Sequence, residues 1–408
     1  MRWFRRLFGK PTRREFAEWA SDVLARAGAT GLQFDEPMFL LRYEAGGNSN
    51  VTNLENFYLA YCAAQPWQRQ RVLERFSGLV ASSNNPPLPA SWSEGAAHVY
   101  PAVRDRFAFE MMRLQARLEG AGSPDVAVRD LTDRLCLCLV YDAPDFMFPL
   151  NVSMLEKWGV SFDEARERAL ANLRAATPPA RWERPAPGLY VSAWQDDYDS
   201  TRLLLDEIHQ GLDLQGVPVA LVPYRNRLIL TGSEDAEGLA KAFELAEAGA
   251  SQPAPLSVLP LRWTGSGWAA WDLPKDHPCG ATWRRLRLLE RGTLYNQQKD
   301  MLEEIHRREN VDVFVASFGS IQDKETGELR SWCSWAKGVL ALLPCTDLIS
   351  FADPEAPKDQ QFVGFFPWEH VETCCGDLLQ RTNDVPERFR VEAFPSEEQI
   401  RAMRGLEA

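Results

Sequence analysis

The chain holds little of what usually announces an enzyme. Of its 408 residues only five are histidine, at positions 98, 209, 277, 306 and 370. None accompanies a Gly-x-Ser-x-Gly turn or a Cys-Gly-x-Cys context, so the common nucleophile settings are missing. There is no Cys-x-x-Cys, which removes the usual zinc-finger spacings. Phosphate loops are absent as well: Gly265-Ser266-Gly267 reads as a short turn without the following helix that a nucleotide fingerprint needs. No apolar stretch is long enough to span a bilayer, and residues 1–10 lack the apolar core of ~7–15 residues found in a signal peptide. Positive charge is also scarce. A net charge of −12 argues against general affinity for nucleic acid, because phosphate binding needs clustered Lys and Arg.

What is present describes a soluble, multidomain chain. Hydrophobic residues make up 45% and charged residues 25% of the total, a globular composition at a length that suits two or three cores. Fourteen tryptophans fill irregular cores or mark contact surfaces. The eight cysteines sit inside apolar runs with no secretory signal before them, so they read as reduced thiols of a cytoplasmic protein. Met1–Lys10 alternates basic residues with Trp3, Phe4, Leu7 and Phe8. It is read as a short helix packed on its own domain, with weak membrane-surface contact as the alternative.

Three segments emerge, each predicted α+β or helical. Residues 1–85 are mostly helical, with capping boxes at Thr12-x-x-Glu15 and Thr52-x-x-Glu55, one strand at Phe39–Tyr43, and a linker at 82–89. Residues 90–278 form an α+β domain with an antiparallel sheet. There Leu135–Val140 is a strand covered on both faces, and Ser161-x-x-Glu164 is a third capping box. Asp199 caps a helix with Leu204, Ile208 and Leu212 inward, Val217–Val222 and Arg227–Thr231 form a hairpin, and Ser233 caps the next helix. Residues 280–408 form a separable α+β unit, predicted to be nicked by protease between about 270 and 292. In that unit a helix through Leu294 and Ile305 leads into strands at 311–318, 329–335, 347–352 and 361–366, with Pro367 opening a last helix.

Several stretches carry one resemblance. Val99-Tyr100-Pro101-Ala102-Val103-Arg104, Leu135–Asp142, Leu155-Glu156-Lys157 and the Asn172-Leu173 helix come first. Asp197-Tyr198-Asp199-Ser200 and Pro223-x-x-Asn226-x-Leu228-Ile229 follow. In this order they resemble the YtpQ-like family of bacterial proteins, over about 90–275 and faintly over 30–85. The family has no established activity, so the resemblance implies a fold and no catalytic residue. Members tend to carry a Pro-Arg-Asp-like triplet at the hairpin turn. Here Tyr224-Arg225-Asn226 stands there instead, which leaves any acid of that turn without a counterpart.

The candidate recognition surface is the helix start at Asp197, Tyr198, Asp199 and Arg202 together with the hairpin tip at Tyr224, Arg225 and Asn226. These residue types are enriched at recognition hot spots, and a rigid sheet presents both. All are taken as exposed, so Tyr198, Tyr224 and Arg225 should tolerate replacement by Ala. The functional expectation is a protein-binding adaptor, chaperone-like or regulatory factor without a cofactor. The alternative is a divalent-metal hydrolase or nuclease using Asp196, Asp197 and Asp199. His370 and Cys374, with Cys375, Cys333 or Cys345, could complete a zinc site, but buried thiols beside a satisfied histidine are the preferred reading. Arg284, Arg285 and Arg287 read as a solvated helix face.

Overall fold

The computed structural model describes residues 10–36, 39–46, 48–83, 89–123, 125–143, 146–178, 181–252, 254–274, 276–323 and 327–406. Residues 1–9 and most of the expected linker lie outside them, and so does the N-terminal membrane-contact expectation. The architecture is α+β, as the patterning predicts.

Helix α1 (Arg13–Arg26) starts at the expected capping box. The Thr12 hydroxyl accepts the Glu15 N–H at 3.2 Å, and Glu15 Oε2 accepts the Thr12 N–H at 2.9 Å. Its inner face puts Phe16 and Leu24 against Tyr61 of α2 (Glu55–Ala63) and Phe76 of α3 (Arg69–Ser83). Where the sequence predicts one strand, three form an antiparallel meander: Thr30–Asp35, Leu40–Ala45 and Asn48–Asn53. Sheet pairing also displaces the second capping box. Thr52 is paired with Leu41 in the sheet, its hydroxyl lies 3.3 Å from Tyr43 Oη, and α2 begins after Leu54 with no side-chain cap.

The middle segment holds two antiparallel sheets. In the smaller, Leu135–Ala143 lies between Val99–Asp105 and Val128–Asp130 and also pairs with Phe146–Pro149. Its residues Leu135 to Val140 are buried on both faces, as the continuous apolar run requires. Helices packed here include α4 (Arg106–Leu118), capped by Asp105 at 2.8 Å from the Phe107 N–H, and α5 (Phe162–Ala176), which has the expected Ser161–Glu164 box. The larger sheet has six strands, ordered Trp268–Ala270, Pro255–Trp263, Pro218–Tyr224, Ile229–Gly232, Leu189–Ser192 and Trp182–Ala186. Helix α6 (Ala236–Gly249) covers one face. Its cap is Asp235, not Ser233: the Ser233 hydroxyl instead accepts the Val217 N–H at 3.0 Å and closes the hairpin. The helix expected after Asp199 is also absent. Two short 3-10 turns, Ser200–Leu204 and Asp206–His209, stand in its place.

The 30-residue helix α7 (Gly280–Glu309) begins at the expected boundary near 278–280 and packs on both sides of it. Trp283 and Leu286 belong to the core under the six-stranded sheet, with Leu239, Phe243 and Leu273. Further along, Met301, Leu302 and Ile305 meet Leu114 of α4 and Val315 and Leu342 of the last segment. One helix therefore serves the cores on both sides. Beyond it lie two four-stranded sheets, and both are mixed where the sequence expectation was antiparallel. Leu329–Ala336 and Leu348–Ala352 pair in parallel because Ala341–Pro344, the strand between them in sequence, lies in the other sheet. Pro367 does precede a helix, α8 (Trp368–Cys375), but the chain continues through Arg388–Val391 to a further helix, α9 (Glu397–Gly405).

At the junction of the middle segment with α7, Arg134 joins two carboxylates. It donates to Asp105 Oδ1 at 2.5 Å, and its Nε lies 3.5 Å from Glu290 Oε1. Glu290 also accepts from the Ser257 hydroxyl at 3.0 Å and the Val258 N–H at 2.9 Å. Burial pushes the Asp105 carboxyl up from 3.8 to about 6, although Arg134 opposes it, and burial raises Glu290 as well. A carboxyl raised by folding takes its proton first in the native state. Its stabilising contribution is complete below the unfolded value and is lost as pH rises through the folded one. For Asp105 the window is pH 4 to 6, worth at most about 3 kcal/mol. Urea unfolding at pH 7.5 and pH 5 should show the wild type gaining on acidification relative to Asp105→Asn. An identical pH slope in the variant would remove Asp105 as the source.

Candidate functional site

The segment Trp194–Arg202 is shaped by its own polar groups. Asp199 is fully buried and turns backward: its carboxylate accepts the Trp194 N–H at 3.3 Å and the Gln195 N–H at 2.9 Å. Asp196 Oδ1 accepts the Tyr198 N–H at 3.1 Å. Two non-glycine residues of this loop hold left-handed backbone, Gln195 at φ 56° and Asp197 at φ 67°.

Arg202 is the buried post behind the loop. Its guanidinium grips both oxygens of Asp196, donates from Nε to Thr177 Oγ1 at 3.1 Å, and lies 4.5 Å from the Trp194 ring. Burial raises the Asp196 carboxyl, but the paired guanidinium more than offsets this and leaves it below the ordinary carboxylate range. Burial raises Asp199, aided by the neighbouring Asp196, against the Ser192 hydroxyl that bonds it. The three aspartates therefore part company: Asp196 faces Arg202, Asp199 faces main-chain amides, and Asp197 lies toward Arg225. Among the described residues no group of three His, Cys, Asp or Glu side chains is placed to hold a metal ion. That applies to the His370–Cys374 grouping too. All eight cysteines are free, and Cys375 packs in the last segment's core.

Tyr198, Asp199 and Arg202 are thus not a recognition surface. Tyr198 is 9% exposed, donates its hydroxyl to Asp142 at 2.7 Å and lies beside Tyr100. Its replacement by Ala, expected from the sequence to be harmless, removes a buried aromatic and should cost ~3 kcal/mol. Polar type alone misled here, because a tyrosine or arginine bonded inside a loop reads the same in sequence as one in solvent.

The other four expected residues do come together. Asp197, Tyr224, Arg225 and Asn226 line a groove of about 610 Å³, with Gln195, Gln252 and Ala254 beside them. Its opposite wall is the N-terminal unit: Ala60, Ala63 and Ala64 of α2 and the following turn, then Gln68, Arg71, Val72 and Arg75. Ala254 is left-handed as well, at φ 56°, so three such residues surround this groove.

Arg225 is one of the residues lining it. The hairpin holds its main chain: the Arg225 N–H donates to Ala254 O at 3.1 Å, and the Ser200 N–H donates to Arg225 O at 3.0 Å. Its side chain is less satisfied. Arg225 Nε and Asn226 Oδ1 are both buried without a hydrogen-bond partner. Burial lowers the Arg225 pKa to about 10, and the charge of Arg104 lowers it further, while Asp197 acts in the opposite sense. Arg75 adds to the repulsion.

The sequence reading missed the α3 wall. Arg71 and Arg75 stand four residues apart on one helix face, a like-charge spacing that destabilises an isolated helix and would have been the signal. The other basic patch is neutralised: Arg284 pairs with Glu328, Arg285 with Glu247 at 2.7 Å, and Arg287 with Asp347 at 3.7 Å. No helix among the described residues is long and apolar enough to cross a membrane. The chain matches no family model, no curated protein and no solved structure.

Proposed function

We propose that the protein is a cytoplasmic binding factor, an adaptor or regulator without catalytic chemistry, whose groove takes an acidic segment of a protein partner. The order of its motifs supports a distant relation to the YtpQ-like proteins, and the reading does not depend on it. The observation that carries the proposal is Arg225, a largely buried guanidinium with an unpaired Nε, flanked by Arg71, Arg75 and Arg104 and faced by Asp197. A cation held among cations is unfavourable in the free protein. A carboxylate entering the groove would form charge-assisted, forked hydrogen bonds with Arg225 and relieve that repulsion. Asn226, Gln68, Gln195 and Gln252 supply amides suited to a peptide main chain.

The test is fluorescence anisotropy with a labelled Glu-rich twelve-residue peptide and its Gln-substituted counterpart. The acidic peptide should bind tighter, weaken with added salt, and lose ~10-fold or more in affinity to Arg225→Gln, as loss of a charged hydrogen bond implies. Arg225→Lys keeps the charge without the fork and should fall between. Equal binding of both peptides, or an Arg225→Gln protein that binds like the wild type, would overturn the reading.

A further inference from the structure

A second cavity, of about 550 Å³, lies on the far side of α7's first turns and has no part in the groove above. Its floor is the Arg134–Glu290 pair with Ser257 and Leu135, and its apolar walls include Trp271, Trp283, Leu294 and Pro260. The loop 381–387 closes one side.

The charges of its lining are informative once the paired ones are removed. Five arginines and five acidic residues face the cavity. Arg106 is held by Asp130 at 2.8 Å, Arg134 by Asp105, Arg287 by Asp347 and Arg381 by Glu387 at 2.5 Å. Glu290 belongs to Arg134, and Asp384 accepts from Arg113 at 3.0 Å. What remains is Arg291, Asp133 and Asp272, for which the described residues supply no ion pair within 4 Å. The Cys345 thiol and Tyr295 neighbour Arg291, and Asp133 acts on it from beyond pairing distance.

We infer that this cavity binds a small zwitterion, an α-amino acid with an apolar or aromatic side chain. Arg291 is the free cation in the wall and matches a carboxylate through its planar fork. Asp133 and Asp272 are the free anions at the rim and suit an ammonium group. Trp271, Trp283 and Leu294 offer the apolar surface for a side chain, and the volume falls in the range of small-molecule sites, roughly 300–1,000 Å³. Neither a simple anion nor a simple cation would use both signs of unpaired charge.

Thermal shift and calorimetry on the full chain, with leucine, phenylalanine and tryptophan at up to 10 mM, test the inference. At least one should raise the melting temperature, since a ligand of the native state alone must do so. N-acetylation and carboxyl amidation of that amino acid should each weaken binding ~10-fold or more, and so should Arg291→Gln and Asp133→Asn. Arg291→Lys, which keeps the charge, guards against a folding defect in Arg291→Gln. Arg225→Gln should bind the amino acid unchanged, which separates this site from the acidic-segment groove. No shift with any of the three, or an N-acetylated form that binds as well as the free one, would overturn the assignment.

Discussion

Arg388→Met should lower the unfolding free energy by ~4 kcal/mol, read as a shift of the urea midpoint at pH 7 with little change in slope. Arg388 is completely buried, yet among the described residues no carboxylate pairs with it. Its guanidinium donates to Gln298 Oε1 at 2.6 Å, Ala316 O at 3.0 Å, Leu342 O at 3.3 Å and Tyr295 O at 2.9 Å. Four acceptors from α7 and the last segment's strands thus converge on one side chain. Burial lowers its pKa to about 10, with Tyr295 and Asp384 pulling the other way, so it stays charged at neutral pH. Methionine fills a similar volume but withdraws the guanidinium from all four oxygens, of which Leu342 O keeps the Ala316 N–H at 3.0 Å. Arg388→Lys should recover less than half the loss, because one ammonium cannot span the fork. A midpoint shift equivalent to under ~1 kcal/mol for Arg388→Met would show that water or rearrangement satisfies these carbonyls.

Chains ended at Cys279 should not fold cooperatively, whereas chains ended at Asn310 should retain a melting transition. Ending at 279 removes Trp283 and Leu286 from the core under the six-stranded sheet and Glu290 from the Ser257 and Val258 amide region. Losing those two side chains alone should cost ~5–8 kcal/mol, comparable with the whole stability of an ordinary domain. The piece 280–408 fares no better, since it would expose the same residues and lose Leu114 against Met301 and Ile305. Proteolysis should still cut within 272–278, where Asp272, Pro274, Asp276 and Pro278 are exposed, but the nicked halves should elute together in gel filtration. Circular dichroism melting of the two truncations decides the matter. A sharp transition for 1–279 equal to that of the full chain would show that α7's first half is dispensable.

Local signals in this sequence were legible because they act within a turn or two. The Thr12–Glu15 and Ser161–Glu164 boxes form as their spacing predicts, and Leu135–Val140 is buried on both faces as its run of apolar side chains demands. Thr52–Glu55 had the same spacing and failed, because strand pairing with Leu41 claimed Thr52 first. The candidate site shows the same division. Asp197, Tyr224, Arg225 and Asn226 were singled out by residue type and do share a groove. The cations completing it, Arg71 and Arg75, are contributed by α3 some 150 positions earlier, and only the packing of the N-terminal unit brings them there.

By itself, then, the sequence determined the α+β class, the excess of acidic residues and most element positions, since composition, propensity, capping and periodicity are properties of the chain and its near neighbours. The tertiary structure alone decided which polar residues are interior. Arg202 and Arg388 look like surface arginines in one dimension and are buried posts in three, because the acceptors that make their burial tolerable are supplied by distant segments. It also decided that α7 joins two segments, since the same amphipathic helix serves one core or two depending only on what packs around it.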